Sequence, residues 1–219
     1  MAYKITKKAY AKINLALDVT GRRADGYHLV NMIMQTVDIA DTLTFERIEG
    51  ATKRIELMTD KSASELSTDK DNLIYKAAKL LYDTYSITDS VRIRLTKNIP
   101  IAAGMAGGST DAAATLHALN ELFALGISDA VLMEQGLKIG ADVPYCIMGG
   151  TAQAQGIGER LTKLTDAPQT ALLVAKPDIN VSTKYVYEHL DALPYSEYPH
   201  PDVEGMIRAI DAGDMEGPI

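Results

Sequence analysis

A run of small residues from Pro100 to Ala113 constrains the fold of this chain more than any other segment. Its first half is mostly glycine and alanine, and apolar residues at helical spacing follow from Ser109 to about Leu125. A backbone of small residues lets a ligand come close, and the free N–H groups at the start of a helix attract anions. The segment therefore predicts an anion-binding loop that opens a helix and suits the phosphates of a nucleotide.

A purely structural interpretation of this run stays open at this point. Small residues also allow tight helix packing. The run is not a Walker A loop, because no lysine precedes Ser109, and it lacks the G-x-G-x-x-G spacing of dinucleotide-binding folds. If a nucleotide does bind, the hydroxyl groups of Ser109 and Thr110 are available to a phosphate or to Mg2+.

Hydrophobic periodicity predicts a mixture of strands and helices elsewhere in the chain. Apolar and polar residues alternate strictly from Tyr10 to Val19, and Asn72 is a candidate N-cap for a helix. The predicted strands cover residues 10–19, 29–40, 42–46, 54–58, 91–95 and 171–175. The predicted helices cover residues 73–85, 109–125, 129–139 and 182–193. Because these elements form no regular βαβ repeat, the predicted fold class is α+β.

The net charge excludes several classes of partner. The chain of 219 residues carries a formal net charge of −7 at pH 7, and its pI is about 5.1. Nucleic acids and anionic membranes attract basic surfaces, so neither is an expected partner. Phosphate binding therefore has to rely on a local arrangement that overcomes an unfavourable overall charge.

Cysteine content and hydropathy bear on the cellular setting. Cys146 is the single cysteine, which excludes an internal disulfide bond and a multi-cysteine metal site, and its apolar neighbours favour a buried thiol. The first residues lack the apolar core of a signal peptide, and no apolar stretch is long enough to span a membrane. We expect a soluble cytoplasmic protein.

Asp142 lies in the segment Gly140–Pro144, directly after a predicted helix. A carboxylate at a helix C-terminus faces an unfavourable dipole, so another group is expected to stabilise it. Taken alone, the segment is better explained by an aspartate that fixes a turn through nearby backbone N–H groups.

Lys12 and Asn14 share the face of the first predicted strand that lies opposite its apolar stripe. A lysine at such a position usually keeps that face solvated, and this is the simpler interpretation. A functional role would require a carboxylate partner and an anionic ligand.

Together these segments resemble the GHMP kinase superfamily, whose phosphate-binding motif is similar to residues 100–110. Further stretches resemble one family within it, the 4-diphosphocytidyl-2-C-methyl-D-erythritol kinases, in order and in approximate spacing. They are Ala11–Leu15, Arg23–His28, Asp71–Leu73, Gly140–Pro144 and Thr151–Glu159. The resemblance covers nearly the whole chain.

The resemblance implies a two-domain GHMP kinase fold that uses ATP and Mg2+. Residues 1–155 would form an N-terminal ATP-binding catalytic domain, which in this superfamily resembles the second domain of a small-subunit ribosomal protein. Residues 156–219 would form part of a C-terminal substrate domain, an incomplete ferredoxin-like α/β plait. The implied reaction phosphorylates a hydroxyl group of 4-diphosphocytidyl-2-C-methyl-D-erythritol in the non-mevalonate pathway of isoprenoid synthesis.

The resemblance also implies roles for individual residues in binding ATP and in catalysis. Asp142 corresponds to the catalytic carboxylate, and Lys12 to its basic partner. Asn72 would lie near the base of ATP. The loop residues that would position its phosphates are Pro100, Ile101, Ala102, Ala103, Gly104, Met105, Ala106, Gly107, Gly108, Ser109 and Thr110.

Another group of residues would bind the second substrate. Tyr27 and His28 would recognise the cytosine ring, one by stacking and the other at its edge. Tyr187, near Thr183, would supply the opposite face of this base sandwich. Asn14 would contact the diphosphate or alcohol end of the same substrate.

The sequence departs from the family pattern in two places. Ala102, Ala103 and Ala106 occupy loop positions that are glycine in some relatives, and we expect the loop to tolerate them provided that φ is negative there. A third glycine-rich motif of the family is not found after Gly150, so we expect the chain to lack a C-terminal segment, which puts its own activity in doubt.

Competing interpretations concern the substrate and the activity. A GHMP kinase for another alcohol, such as mevalonate or homoserine, would not need the segment Asp25–His28 for a cytosine pocket. The alternative outside the enzymes is a fragment that binds a nucleotide without catalysis. The presence of Lys12 and Asp142 indicates that the full-length protein is an enzyme. Nucleic-acid binding is disfavoured by the charge.

Overall fold

The computed structural model describes residues 3–49, 54–60, 70–177, 179, 181, 183–192 and 199–214. Its strands are β1 (Lys4–Arg22), β2 (His28–Ile48), β3 (Ile55–Thr59), β4 (Ser90–Thr96), β5 (Thr151–Gly156) and β6 (Arg160–Lys163). Its helices are α1 (Leu73–Thr84), α2 (Gly107–Leu122), α3 (Asp129–Leu137), α4 (Val143–Met148), α5 (Thr183–Leu190) and α6 (Val203–Ala212). The predicted α+β class is confirmed.

The chain forms two compact units, each built from separated stretches of sequence. The first unit comprises Met1–Ala11, Val37–Pro100 and Ala106–Met148. The second comprises Lys12–Thr36, Ile101–Met105 and Gly149–Ile219. The long strands β1 and β2 contribute residues to both units. The predicted domain boundary after residue 155 stays a prediction.

In the first unit, β4 lies between β2 and β3. It pairs antiparallel with residues 42–48 of β2 and parallel with β3. Helices α1 and α2 pack on each other, and α4 packs on α2 and α3. The fully buried side chains of this core include Phe45, Leu81, Ile93, Leu116, Leu119 and Leu132. This core fixes the start of α2, where the small-residue loop ends.

In the second unit, β5 pairs antiparallel with residues 30–35 of β2 and with β6. Helix α6 packs on this sheet through a small apolar cluster of Ile33, Val203 and Ile210. The Asp202 side chain caps α6 by accepting a hydrogen bond from the backbone N–H of Gly205. Helix α5 begins at Thr183 and ends at Leu190.

Most of the elements predicted from periodicity are confirmed. The first strand is longer than predicted, and residues 29–40 and 42–46 belong to the single strand β2. The Asn72 cap is also confirmed, because its Oδ1 accepts a hydrogen bond of 2.8 Å from the N–H of Ile74. Helix α5 agrees with the prediction over residues 183–190, whereas residues 182 and 193 lie outside the described part of the chain.

The buried strand predicted over residues 171–175 is wrong. These residues are exposed and form no strand, with Leu173 at 96% exposure. A short apolar run becomes a strand only where another strand offers hydrogen-bond partners, which periodicity along one segment does not report. Helix α4 and strands β5 and β6 were not predicted, because each is short. Helix α6 was overlooked, although Val203, Met206, Ile207 and Ile210 stand at helical spacing. Within the described ranges, no helix combines the length and the apolar character that a membrane crossing needs.

Candidate functional site

Several residues of the small-residue loop have backbone angles in the left-handed region of φ/ψ space. Ala102, Gly104 and Ala106 have φ values of 55°, 69° and 56°. The expectation of a negative φ is therefore wrong at Ala102 and Ala106. Left-handed geometry costs a non-glycine residue about 1–2 kcal/mol, so the surrounding structure has to hold these alanines in place.

The loop ends at Ala106, which is the N-cap of α2 but provides no side-chain hydrogen bond to the helix. The side chain of Ala106 therefore occupies none of the backbone N–H groups of the first turn. A helix that binds an anion at its N-terminus needs these groups for the ligand. Thr110 is buried, whereas Ser109 and Gly108 are partly or fully exposed. Of the two hydroxyl groups considered from the sequence, that of Ser109 is the one a ligand can reach.

Leu73, the residue after Asn72, lies next to the first turn of α2. A Cβ atom at Gly108 would meet Leu73 Cδ1 at 3.4 Å, so α1 and α2 begin next to each other. The Asn72 side chain is engaged in capping α1. Its predicted proximity to the base of ATP stays a prediction.

Asp142 lies five residues after the end of α3 and directly before α4. Its backbone carbonyl accepts a hydrogen bond from the N–H of Cys146, which starts the turn of α4. The Ser109 Oγ lies 3.9 Å from the position that a Cβ atom would occupy at Gly140. The half-buried carboxylate of Asp142 therefore follows a backbone segment that contacts the first turn of α2.

Lys12 is buried, with 7% of the residue exposed. Its backbone N–H donates to the carbonyl oxygen of Met105 over 3.2 Å, and its Nζ donates to Asn14 Oδ1 over 3.1 Å. The simpler interpretation of Lys12 as part of a solvated strand face is therefore wrong. The loop residue Met105 lies against the strand at this position, so the structure brings together Lys12, Asn14 and the end of the small-residue loop.

His28 and Tyr187 meet in the second unit. Their rings stack with centroids 4.3 Å apart and an interplanar angle of 14°. His28 Nε2 lies 2.7 Å from Asp191 Oδ1, and Arg22 forms an ion pair with the same carboxylate over 2.9 Å. Tyr27, the residue before His28 in the sequence, is 60% exposed. Thr183, the first residue of α5, lies one turn before Tyr187.

Sequence reasoning missed the charged partners of these residues. Asp191 follows Tyr187 at a spacing of four, and residues at this spacing share one face of a helix. This spacing could have identified Asp191 as a neighbour of Tyr187. A second missed group lies in the first unit, where Lys97 Nζ contacts the carboxylates of Asp41 and Asp111. An isolated charged residue in a sequence usually indicates a solvated surface, so nothing in the pattern identified these as buried.

Oxygen donors suited to Mg2+ are present near the first turn of α2. Among the described residues, no group of three or more His, Cys, Asp and Glu side chains is arranged as a metal site. Mg2+ usually takes one or two protein oxygens together with phosphate oxygens and water, so such a cluster is not required. The Ser109 hydroxyl group is chemically suited to that role.

Comparison with known proteins gives consistent results. Residues 72–150 match the model of the GHMP kinases N terminal domain. A 4-diphosphocytidyl-2-C-methyl-D-erythritol kinase of Caldicellulosiruptor bescii is 50% identical over 209 residues, which cover 95% of this chain and 71% of that protein.

Two solved structures extend the comparison. A crystal structure of 4-(cytidine 5'-diphospho)-2C-methyl-D-erythritol kinase superposes with a TM-score of 0.75 and 33% identity, over 96% of this chain and 72% of its own. Homoserine kinase from Cytophaga hutchinsonii superposes with a TM-score of 0.68 at 18% identity, over 98% of this chain and 69% of its own, which reports a shared fold alone.

Proposed function

Because the chain belongs to the 4-diphosphocytidyl-2-C-methyl-D-erythritol kinase family, we propose that it transfers the γ-phosphoryl group of ATP to a hydroxyl group of 4-diphosphocytidyl-2-C-methyl-D-erythritol. The reaction belongs to the non-mevalonate pathway of isoprenoid precursor synthesis, and we propose that it takes place in the cytoplasm, where ATP is available. The chain is a small-molecule kinase of the GHMP type.

The observation that carries this proposal is the loop that opens α2. Its left-handed residues Ala102, Gly104 and Ala106 bend the backbone sharply, and the first turn of α2 has no side-chain cap. Backbone amides in this arrangement suit the β- and γ-phosphates of ATP. Phosphoryl transfer depends mostly on positioning and charge neutralisation, which is what such a loop provides. Mg2+ supplies further neutralisation when it is bound with ATP, and the hydroxyl group of Ser109 is the described side chain at this turn that would contact it.

Asp142 is the group that we propose accepts the proton of the substrate hydroxyl group, or orients that group for attack. Its carboxylate is half-buried and follows Gly140, which lies against Ser109. A carboxylate that follows this segment would act on a nucleophile next to the γ-phosphorus atom.

Lys12 is the group that we propose offsets negative charge developing on the transferred phosphoryl group. Its ammonium group is buried beside Asn14, and its backbone is bonded to the loop residue Met105. This hydrogen bond ties Lys12 to the loop residue that directly precedes Ala106 in the chain. Asn14, whose amide accepts from Lys12, is proposed to contact the diphosphate or alcohol end of the acceptor.

The aromatic group around His28 is proposed to bind the cytidine part of the acceptor. Tyr27, His28 and Tyr187 present aromatic rings, and Asp191 holds one nitrogen of the imidazole. Rings of this kind offer stacking, while the second nitrogen of His28 offers a hydrogen bond to a base edge. Thr183 begins the helix that carries Tyr187.

The test is ADP release by the purified 219-residue chain with Mg·ATP, with and without 4-diphosphocytidyl-2-C-methyl-D-erythritol. Release that requires the acceptor and that falls by about 10²–10⁴-fold in Asp142→Asn would support the proposal. Mevalonate and homoserine serve as acceptor controls, and equal turnover of either would redirect the substrate assignment. An absence of turnover and of Mg·ATP binding in a folded chain would overturn the assignment for this chain.

A further inference from the structure

The imidazole ring of His28 is held by two residues at the end of α5, both in the second unit. Tyr187 stacks on the face of the ring, and Asp191 Oδ1 lies 2.7 Å from its Nε2 atom. The backbone N–H of Asp191 donates to the carbonyl oxygen of Tyr187 over 2.9 Å, which fixes the spacing of these two residues. The His28 side chain is 10% exposed, so its contact with Asp191 is largely shielded from water.

The contact with Asp191 decides which nitrogen of His28 carries the hydrogen. The oxygens of a carboxylate only accept hydrogen bonds, so Nε2 must donate to Asp191. In a neutral imidazole one nitrogen donates and the other accepts, which makes Nδ1 an acceptor. Within the part of the chain that the structure describes, Nδ1 forms no hydrogen bond. The lone pair on Nδ1 is therefore the group that His28 can offer to a ligand.

Arg22 holds the second oxygen of the same carboxylate. Its Nη1 lies 2.9 Å from Asp191 Oδ2, and its Nε donates to the carbonyl oxygen of Gly26 over 3.2 Å. A guanidinium group has donors and no acceptor, so only an acceptor atom can face it favourably. These contacts orient the carboxylate, with Oδ2 toward Arg22 and Oδ1 toward His28.

We propose that Asp191 is a positioning residue that makes the site prefer a cytosine ring to a uracil ring. The inference rests on the proposed function, because it takes His28 as a residue that contacts the base. At position 4 cytosine carries an amino group that donates, whereas uracil carries a carbonyl oxygen that accepts. Nδ1 of His28 accepts a hydrogen bond from the amino group, but against the carbonyl oxygen it leaves two acceptors facing each other without a hydrogen.

This preference is measured as a ratio of affinities for two nucleotides. A missing hydrogen bond at a shielded site is costly, because both polar groups have lost their contact with water. We expect cytidine diphosphate to bind the wild-type chain about 10- to 100-fold more tightly than uridine diphosphate. Both nucleotides carry the same ribose and diphosphate, so contacts to those parts cancel in the ratio.

Asp191→Asn reverses the direction of the hydrogen bond while it keeps the size of the side chain. Arg22 retains the amide oxygen, so the NH2 group points at His28. Nε2 then accepts, and Nδ1 carries the hydrogen and becomes a donor that suits uracil. We expect the preference for cytidine diphosphate over uridine diphosphate, measured by isothermal titration, to fall by at least about tenfold. An unchanged preference, or an equal loss of affinity for both nucleotides, overturns the proposal, because a merely structural role weakens both alike.

Two further variants serve as controls. Arg22→Met in the Asp191→Asn background lets the amide turn its oxygen toward Nε2, so the preference for cytidine diphosphate should return. A preference that stays lost in this double variant overturns the proposal. Asp18→Asn is the matched control, since Asp18 Oδ1 lies 2.7 Å from Nδ1 of another histidine of the second unit, His200. It removes the same charge and should leave the preference unchanged.

A measurement on the wild-type chain covers the case in which Asp191→Asn fails to fold. Nitrogen-15 spectra of the histidine side chains distinguish a ring nitrogen that carries hydrogen from one that does not, and His28→Gln identifies the signals of His28. Hydrogen on Nε2 and none on Nδ1 supports the inference, and hydrogen on Nδ1 overturns it.

The same titrations separate the inference from the proposed function. Binding of cytidine diphosphate without a preference over uridine diphosphate overturns the inference alone. An absence of cytidine diphosphate binding, together with an absence of turnover that requires the acceptor, overturns the proposed function as well.

Discussion

The rings of His28 and Tyr187 stack at a centroid distance of 4.3 Å, and Asp191 holds the imidazole of His28 from the side. Two rings at this distance leave no room for a third ring between them. A cytosine ring that binds to this group must therefore stack on an outer face or displace Tyr187. Tyr27, which precedes His28 in the sequence, is exposed.

Tyr187→Ala removes one member of this stack and tests its role in ligand binding. We expect the affinity for cytidine diphosphate to fall by about three- to tenfold, because an aromatic pair contributes about 0.5–1.5 kcal/mol. Isothermal titration measures the change. Tyr187→Phe keeps the ring and should bind almost as tightly as the wild-type chain, and an unchanged affinity in the alanine variant would contradict the role.

Gly136→Ala tests how closely α3 and α4 pack. A Cβ atom at Gly136 would lie 2.7 Å from Val143 Cγ1 and 3.2 Å from Ile147 Cδ1. Although alanine favours a helix more than glycine does, overpacking costs about 1–3 kcal/mol. We expect the free energy of unfolding in urea to fall by about 1–2 kcal/mol. Gly108→Ala is the matched control, since its Cβ atom would make an ordinary contact of 3.4 Å with Leu73.

Replacing left-handed alanines with glycine should stabilise the fold. Ala106→Gly relieves the strain of φ 56° in the loop, and Ala124→Gly relieves φ 50° after α2. We expect each substitution to raise the free energy of unfolding by about 0.5–1 kcal/mol, net of the entropy that glycine loses on folding. Gly104→Ala, at φ 69° with open space around its Cβ position, should lower it by a similar amount. Thermal unfolding of the three variants checks the signs, and a fall in Ala106→Gly would rule out strain at that position.

The stability of the fold should depend on the ionisation of Asp111. Its pKa of about 7 in the folded chain exceeds the ordinary value of 3.8 because of burial. The folded state therefore holds a proton that the unfolded state releases between about pH 4 and 7, so this group lowers stability as the pH rises through that window. Asp111→Asn lacks this effect and should gain stability relative to the wild-type chain, by about 1–3 kcal/mol, between pH 5 and 8. Urea unfolding at pH 5 and pH 8 measures the difference. Glu121→Gln is the surface control, because Glu121 lies in the last turn of the same helix and pairs with Lys7 at the surface.

Sequence patterns predicted the local elements well and the long-range contacts poorly. The Asn72 cap and helix α2 follow from residues that are neighbours in sequence. The burial of Lys12 depends on Met105, which comes 93 positions later, and no period along β1 reports that contact.

The buried charged group of Lys97, Asp41 and Asp111 has the same explanation. Lys97 and Asp41 are 56 positions apart, and each alone resembles an ordinary surface residue. Only the pairing of β2 with β4 brings the two together, because Thr42 is opposite Thr96 in that ladder. The candidate phosphate loop could be predicted because its function depends on consecutive backbone groups, whereas the residues that support it come from several strands.

The exposed apolar run Leu172–Val174 sets a practical limit on how concentrated solutions of this protein can be. Leu172, Leu173 and Val174 are 51%, 96% and 40% exposed, on backbone that forms no strand. Adjoining apolar side chains on backbone that belongs to no strand adhere to the same run on another molecule. Encounters of this kind increase with the square of concentration, so dilute solutions should stay clear while concentrated ones turn cloudy.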